Sequence, residues 1–325
     1  MSAYRWLRWV IATMAATVSL LLLAGAYTAN AVSRVEAAFP PHGDFIDTAL
    51  GRQHYLDTGE RDAPVTLVLL HGASSNLREF ERSLVPVFQD RYRLLLFDRP
   101  GYGYSERLSE AWASPRIQAA VLHEALTKLG VSRPVLVGHS WSGALILAYA
   151  LAYPDETRAV VSLGGATHPW KSGVAWHIAL SHQPIAGPLF THTLFYPAAV
   201  AAADGALEYI YAPESVPTGL KSDIGMELSL RPNAYASSSE DVARLSDYLK
   251  EQRERYAELK VPMLMITGSD DQVVPGWNHA RRFNSHPRAR VVVLEGAGHG
   301  LHHTRGADIA REVERTLAKA ASSGD

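Results

Sequence analysis

The stretch Val135-Leu-Val-Gly-His-Ser-Trp-Ser-Gly143 decides the fold of this chain. Its apolar start predicts a buried strand, and the run from Ala144 to Leu151 predicts a helix, so Ser140 stands in the turn between them. At such a junction the chain turns so sharply that the serine hydroxyl is presented alone above the sheet edge, and small residues flank the turn. The usual pattern is Gly-x-Ser-x-Gly, and Ser142 replaces its last glycine here. Because serine is small, we expect the turn to form with slightly more crowding.

Strand and helix patterns alternate on both sides of this turn. Apolar, β-rich runs predict buried strands at 65–70, 93–97, 158–163, 261–267 and 290–294. Helical periodicity predicts helices at 76–88, 115–129 and 307–321. This alternation predicts a doubly wound, mostly parallel α/β sheet, and a β-hairpin at 45–57 precedes it.

The alternation stops between residues 166 and 256, where Pro, Ala, Trp and Tyr are frequent and no strong strand pattern occurs. We interpret this segment as a helical cap over the sheet edge, with candidate helices at 174–181, 197–210 and 239–259. The predicted organisation is a signal anchor or signal peptide (1–31), a linker (32–44), the first part of an α/β core (45–165), the cap (166–256), the second part of the core (257–321) and a tail (322–325).

The composition excludes several classes of partner and chemistry. The 325 residues carry a formal net charge of −2, which gives no electrostatic reason to bind nucleic acid. There is no cysteine, so disulfides, thiol catalysis and cysteine-ligated metals are excluded. Hydrophobic residues make up 47% and charged residues 20%, a balance typical of a globular protein.

The N-terminus has the pattern of an export signal or a membrane anchor. Arg5 and Arg8 precede an uncharged run from Val10 to Ala31, so the positive-inside rule places the arginines in the cytoplasm and the rest of the chain on the other side. Cleavage near Ala31 would export the protein. We favour a retained transmembrane helix, because the run approaches the ~20 residues that span a bilayer and Trp6, Trp9 and Tyr27 flank it.

Side chains that could activate a serine follow the last two predicted strands. A serine nucleophile needs a general base, and the base needs a group that orients it. Asp270 and Asp271 come after the strand at 261–267, and His299 comes after the strand at 290–294. Open parallel sheets place their sites at these strand ends. The chain order Ser, Asp, His is also that of one known triad arrangement.

From about Phe45 to Leu317 the sequence resembles the α/β-hydrolase family, in its cap-bearing branch. The resemblance rests on four motifs: the His71-Gly72 loop, Asp98-Arg-Pro-Gly-Tyr-Gly-Tyr-Ser105, the turn at Ser140, and Gly296-Ala-Gly-His299. It implies Ser140 as the nucleophile, His299 as the base and Asp271 as the acid, with Asp270 as the alternative acid. It further implies an oxyanion hole formed by the backbone N–H groups of Ala73 and Trp141.

A serine nucleophile implies hydrolysis of an ester-like bond (ester, thioester, lactone or amide) through an acyl-enzyme, with no cofactor. The alternatives within the fold are carbon–carbon bond hydrolysis and acyl transfer. A catalytically silent binding protein is the alternative outside enzymes. The apolar, aromatic cap suggests a hydrophobic acyl or aryl substrate.

The remaining candidates have structural explanations as well. His299, His302 and His303 are close in sequence, but no further ligand is evident, so we predict no metal site. Tyr102 lines the substrate cleft or lies at the surface. Trp170 and Trp176 could form part of an apolar substrate pocket, although packing within the cap explains them equally well.

Overall fold

The computed structural model describes residues 2–49, 51–171 and 173–322. Eight strands form one sheet in the order β1-β2-β4-β3-β5-β6-β7-β8. β1 and β2 form the antiparallel hairpin and β2 pairs antiparallel with β4, while the remaining pairs are parallel. The strands are β1 (Asp44–Thr48), β2 (Gly51–Gly59), β3 (Thr66–Leu70), β4 (Arg93–Phe97), β5 (Val135–His139), β6 (Ala159–Leu163), β7 (Met263–Gly268) and β8 (Ala289–Leu294). This architecture confirms the predicted fold class.

The described part of the chain contains twelve α-helices. They are α1 (Ser2–Ala38), α2 (Arg78–Ser83), α3 (Val85–Phe88), α4 (Pro115–Lys128), α5 (Ser142–Ala152), α6 (Trp176–Ser181), α7 (Ala186–Phe190), α8 (Tyr196–Tyr211), α9 (Leu220–Asp223), α10 (Pro232–Gln252), α11 (Leu301–Thr304) and α12 (Gly306–Ser322). The helix predicted at 76–88 is two short helices, because Pro86 removes a backbone donor beyond the break at Leu84.

The central strands are buried on both faces, as a parallel sheet between two helix layers requires. Side chains that alternate along β3, such as Leu67 and Val68, enter two different apolar clusters. One cluster includes residues of α4 and α5, and the other includes residues of α2 and α12. The C-terminal ends of β5, β7 and β8 therefore meet at one edge of a rigid core.

Residues 166–256 contain helices and no strand among their described residues. The cap helix α10 begins at Pro232, earlier than the predicted 239, and continues as a 3₁₀ turn over Arg253–Glu258. The cap has its own small apolar cluster, which includes Phe195, Tyr196 and Tyr235, and Ala31 of α1 belongs to the same cluster. The N-terminal helix is thus packed against the cap.

Helix α1 extends through Ala38 and therefore occupies the first part of the predicted linker at 32–44, which corrects that boundary. Ala31 and Val35 are buried, and this packing keeps the chain helical beyond the apolar run. The helix ends shortly before Pro40-Pro41, whose rings disfavour a helical residue before them. The segment Tyr4–Ala38 is long and apolar enough to cross a membrane, with a mean hydropathy of 2.0 in its most apolar window.

Candidate active site

Ser140, His299 and Asp271 meet at the C-terminal edge of the sheet. The Nε2 atom of His299 lies 2.9 Å from the hydroxyl oxygen of Ser140, and its Nδ1 atom lies 2.8 Å from Oδ2 of Asp271. Asp271 and His299 are each 5% exposed. A carboxylate that accepts from Nδ1–H leaves Nε2 free to take the serine proton, so the arrangement can activate the hydroxyl.

The structure places Asp271, rather than Asp270, against the imidazole. The second oxygen of Asp271 accepts hydrogen bonds from the amides of Val273 and Val274, at 2.9 and 2.8 Å. These bonds fix the carboxylate in the orientation that reaches His299. Asp270 is exposed and its carboxylate accepts from the hydroxyl of Ser269.

The backbone of the turn has the strained conformation expected of an exposed nucleophile. Ser140 adopts a positive φ of 54°, which is rare for residues other than glycine. Gly143 allows the following helix to approach the end of β6, since a Cβ atom there would lie 2.6 Å from the Cα atom of Gly165. The replacement of the pattern's last glycine is accommodated by a hydrogen bond, because the Ser142 hydroxyl donates to the carbonyl of His71 at 2.6 Å. Ser142 therefore connects the turn to the loop after β3.

The loop after β3 brings backbone donors next to the nucleophile. A Cβ atom on Gly72 would lie 2.8 Å from the Cβ atom of Ser140, so only glycine permits this approach. Among the described residues, neither the Ala73 amide nor the Trp141 amide has a hydrogen-bond acceptor. Two N–H groups without an intramolecular acceptor beside a serine hydroxyl are suited to hold a developing oxyanion.

Arg99 forms hydrogen bonds that fix the loop after β3. Its side chain donates to the carbonyls of His71 and Gly72 at 3.0 and 3.2 Å, and its amide donates to Nε2 of His71 at 3.0 Å. Nδ1 of His71 must then carry the proton that bonds the carbonyl of Gly72, so the imidazole is neutral. Burial lowers the pKa of His71 to about 4, with a further contribution from the charge of Arg99. His71 is therefore structural, as its position before the loop suggests.

A carboxylate from the cap neutralises Arg99. Asp241 of α10 lies 2.7 Å from Arg99 and 2.7 Å from Arg107, and both the Asp241 and Arg99 side chains are 0% exposed. The hydroxyl of Tyr102 donates to the same carboxylate at 3.0 Å. The Arg99 guanidinium also stacks on the ring of Trp141, 4.1 Å from its centre. This ion network joins the cap to the turn that carries Ser140.

A second buried cluster lies behind the nucleophile and consists of Glu79, His139 and His302. Each residue offers one ligand atom, and these atoms lie within 4.8 Å of one another. Nε2 of His139 lies 3.2 Å from the backbone carbonyl oxygen of His299, and its Nδ1 lies 3.5 Å from Oε1 of Glu79. The hydroxyl of Ser75 also donates to Glu79.

The charge state of this cluster follows from its surroundings. Burial acts to raise the pKa of Glu79, but interaction with His139 outweighs it and lowers that pKa to about 2. Burial lowers the pKa of His302 well below its usual range. An ionised carboxylate with two imidazoles is a set that can bind a transition metal ion. The structure thus assembles Glu79, His139 and His302, rather than the histidine group His299, His302 and His303 that stands out in the sequence.

Two of the three predicted substrate contacts, Tyr102 and Trp176, do not lie in a substrate pocket. Tyr102 is 0% exposed and belongs to the Asp241 network, so it cannot line a cleft, and that prediction is wrong. Trp176 is 71% exposed on the cap and is not part of an enclosed pocket, which corrects the prediction that it forms one. Trp170 is half-buried beside His279, with the ring centres 6.4 Å apart.

The described residues also form a cleft of about 1250 Å³. Its walls come from α1, from the cap residues 181–192, from the start of α10 and from the loop 101–109. None of Ser140, Asp271 and His299 lines it.

Sequence reasoning missed Asp241 and Glu79. Asp241 had a detectable signal, because it lies on the helical stripe of α10 that also carries Tyr235, Leu245 and Leu249 and is buried with them. A carboxylate on an apolar stripe indicates a buried partner. Glu79 had no comparable signal, since its partners come from distant parts of the chain.

Comparison with known proteins gives one family. Residues 67–312 match the sequence model of the "Alpha/beta hydrolase family". The chain is 29% identical over 257 residues to a 2-hydroxy-6-oxononadienedioate/2-hydroxy-6-oxononatrienedioate hydrolase of Burkholderia vietnamiensis. The aligned region covers 76% of this chain and 84% of that protein.

Two solved structures show the same fold at low sequence identity. A meta-cleavage product hydrolase from Pseudomonas fluorescens has a TM-score of 0.68 and 20% identity, and the match covers 85% of this chain and 98% of that one. A membrane phospholipase A has a TM-score of 0.66 and 18% identity, and the match covers 98% of this chain and 99% of that one.

Proposed function

Since this chain belongs to the alpha/beta hydrolase family and is a hydrolase, we propose that Ser140, His299 and Asp271 form its catalytic triad and that it hydrolyses a carbon–carbon bond beside a ketone carbonyl. The observation that carries the triad is the continuous chain of contacts from the Ser140 hydroxyl through His299 to Asp271, at 2.9 and 2.8 Å. The bond type is supported by the names of the relatives.

The reaction begins at the substrate carbonyl. The Ser140 hydroxyl attacks the carbonyl carbon while its proton passes to Nε2 of His299, and the Ala73 and Trp141 amides hold the oxyanion. Collapse of this intermediate breaks the bond to the neighbouring carbon. The substrate reacts as its keto tautomer, in which a second carbonyl is conjugated with the departing carbon. The electron pair therefore leaves as an enolate, which His299 protonates at carbon. Water, deprotonated by His299, then hydrolyses the acyl-enzyme and releases a carboxylic acid.

Carbon–carbon hydrolysis ranks above the ester hydrolysis predicted from the sequence. The Burkholderia vietnamiensis relative is named for a 2-hydroxy-6-oxo dienedioate substrate, and the similarity covers most of both proteins. The same triad serves both reactions, because each passes through an oxyanion and an acyl-enzyme. The difference lies in the leaving group, which is a carbanion in one case and an alkoxide in the other.

Ester hydrolysis stays as the second candidate because of one electrostatic observation. A dioate substrate carries two carboxylates and needs cationic partners in a desolvated site. Arg99, which stacks on Trp141 beside the nucleophile, is paired with Asp241, and Arg107 is paired with Asp241 and Glu240. These two guanidinium groups therefore favour an uncharged or singly charged substrate.

Two substrate series separate the candidates. We expect 2-hydroxy-6-oxohexa-2,4-dienoates with an apolar group on carbon 6 to show a higher kcat/KM than p-nitrophenyl esters of any chain length, measured by loss of the dienolate absorbance and by release of nitrophenolate. Ser140→Ala should lower both rates by roughly 10³-fold or more. Turnover of the esters alone would favour the second candidate, and turnover of neither by the folded chain would reject the proposal.

We further propose that α1 stays attached and anchors the protein in a membrane, with the catalytic domain on the non-cytoplasmic side. The length and hydropathy of Tyr4–Ala38 support this proposal, and so does the packing of Ala31 and Val32 against the cap. Cleavage near Ala31 would remove part of that packing. N-terminal sequencing of the mature protein tests the anchor, and a start at Val32 would reject it.

A further inference from the structure

One segment of the cap that contacts α1 carries a group of exposed apolar side chains. Residues 173–203 contain no Asp, Glu, Lys or Arg, although such residues make up 20% of the chain. Several large apolar side chains of this segment are exposed to solvent: Trp176 (71%), Ile185 (85%), Leu189 (48%) and Leu194 (51%). We call these four residues the cap patch. An exposed apolar cluster of this kind marks an interaction surface.

The cap patch is held at a defined place along α1. A Cβ atom on Gly25 would lie 3.7 Å from Thr193, and the hydroxyl of Thr28 donates to the carbonyl of Thr193 at 3.4 Å. Further along α1, Ala31 joins the cluster of Phe195 and Tyr196. The segment around Thr193 therefore packs on α1 between Gly25 and Ala31, where the apolar run of α1 ends.

These contacts place the patch next to the end of the apolar run of α1. Leu189 lies in α7, four residues before Thr193, and Ile185 stands at the start of that helix. Their neighbours Pro184 and Pro188 line one cleft together with Gly25 of α1. The part of α1 that precedes Gly25 is apolar and exposed, as Leu20 (64%), Leu22 (69%) and Leu23 (70%) show.

We propose that the cap patch is seated in the lipid bilayer, so that the protein is held by the cap as well as by α1. The inference rests on the proposed anchorage of α1. A bilayer is the occupant that fits, because the patch adjoins the apolar surface of α1 and a segment without Asp, Glu, Lys or Arg loses little hydration when it enters the headgroup region. The large cleft between α1 and the cap then has one wall at the membrane surface.

This seating predicts which molecules reach the cleft. Gly25, Thr28, Pro184 and Pro188 line it, and all four lie next to the patch or to the apolar part of α1. An amphiphilic molecule would enter this cleft from the bilayer rather than from bulk water.

Spin labels at single cysteines test the seating directly, because the chain has no cysteine of its own. The full chain is reconstituted in nanodiscs of phosphatidylethanolamine and phosphatidylglycerol, and collision rates with oxygen and with a water-soluble nickel chelate are compared. Labels at Ile185→Cys and Leu189→Cys should collide more with oxygen, as a label at Leu20→Cys within the bilayer should. A label at Lys260→Cys, exposed at the opposite end of the sheet, should collide more with the nickel chelate.

The outcomes distinguish the two proposals. If Leu20 is in lipid while Ile185 and Leu189 are as accessible to nickel as Lys260, the cap is in water and the inference is overturned while the anchorage stands. If Leu20 is in water, the anchorage fails and the inference fails with it. Dipolar broadening between Ile185 labels of two chains would show that a second copy covers the patch, which would also overturn the inference. Fluorophosphonate labelling of each variant confirms that it is folded.

Discussion

Replacement of Asp241 by asparagine tests the ion network that joins the cap to the nucleophile. In the native protein the Asp241 carboxylate contacts two guanidinium groups, Arg99 and Arg107, each at 2.7 Å. The side chain of Arg99 is 0% exposed and that of Arg107 is 8% exposed, so neither gains water when the carboxylate is lost. Asp241→Asn keeps the shape and removes the charge.

The expected cost is large because two positive charges are left buried. Removing one partner of a buried ion pair typically costs roughly 3–5 kcal/mol of the free energy of unfolding. The second pair of Arg107, with Glu240 at 2.8 Å, should keep the loss near the lower end. Since Arg99 also holds the His71 and Gly72 carbonyls, kcat should fall as well.

A matched control lies on the same helix. Asp247 of α10 pairs with Lys250 at 2.6 Å, but its side chain is 77% exposed. Asp247→Asn should cost only about 0.5 kcal/mol or less, because exposed pairs contribute little. Urea unfolding of the full chain in detergent micelles, followed by tryptophan fluorescence, measures both variants. Equal midpoints for Asp241→Asn and Asp247→Asn would refute the argument that a buried charge network joins cap and core.

Two further predictions concern buried groups near the triad. Glu79→Gln should lower kcat by roughly 10- to 100-fold with little change in KM, because Glu79 positions the loops that carry Ser140 and His299 without touching substrate; a change confined to KM, or none, would contradict this positioning role. The free energy of unfolding should fall as the pH is lowered from 6.5 towards 4, because buried histidines bind protons there in the unfolded chain but not in the folded chain. Above pH 6.5 the stabilisation from these neutral histidines is fully present. The histidines whose pKa is lowered to about 4, mainly by burial, are His71, His168, His279 and His303. The midpoint of urea unfolding at pH 7.5 and pH 5.0 measures this effect, and an unchanged midpoint would contradict it.

The parts of the site that could be predicted are those that depend on local chain geometry. Ser140 and His299 stand directly after apolar runs, and the ends of parallel strands meet at one edge, so their juxtaposition in the structure follows from strand order alone. The two carboxylates at 270 and 271 differ only in which one faces the sheet. The resemblance favours Asp271, and the structure gives the geometric reason in the amides of Val273 and Val274.

The parts that could not be predicted depend on how distant segments pack. Tyr102 lies in a polar loop, and only the docking of α10 shows that its hydroxyl is buried on Asp241. Trp176 is a large aromatic residue of the kind that lines apolar pockets, but its position in the cap leaves its side chain exposed. The linker was predicted to begin at residue 32, but α1 continues to Ala38. The end of this helix is stabilised by tertiary contacts with the cap rather than by its own sequence.

Covalent labelling tests whether Ser140 is the activated nucleophile. The full chain in detergent is treated with a fluorophosphonate and the modified residue is identified by mass spectrometry of its peptides. One adduct is expected, on Ser140, which is absent in Ser140→Ala and is formed much more slowly in His299→Ala. An adduct on another serine, or no adduct on folded protein, would contradict it.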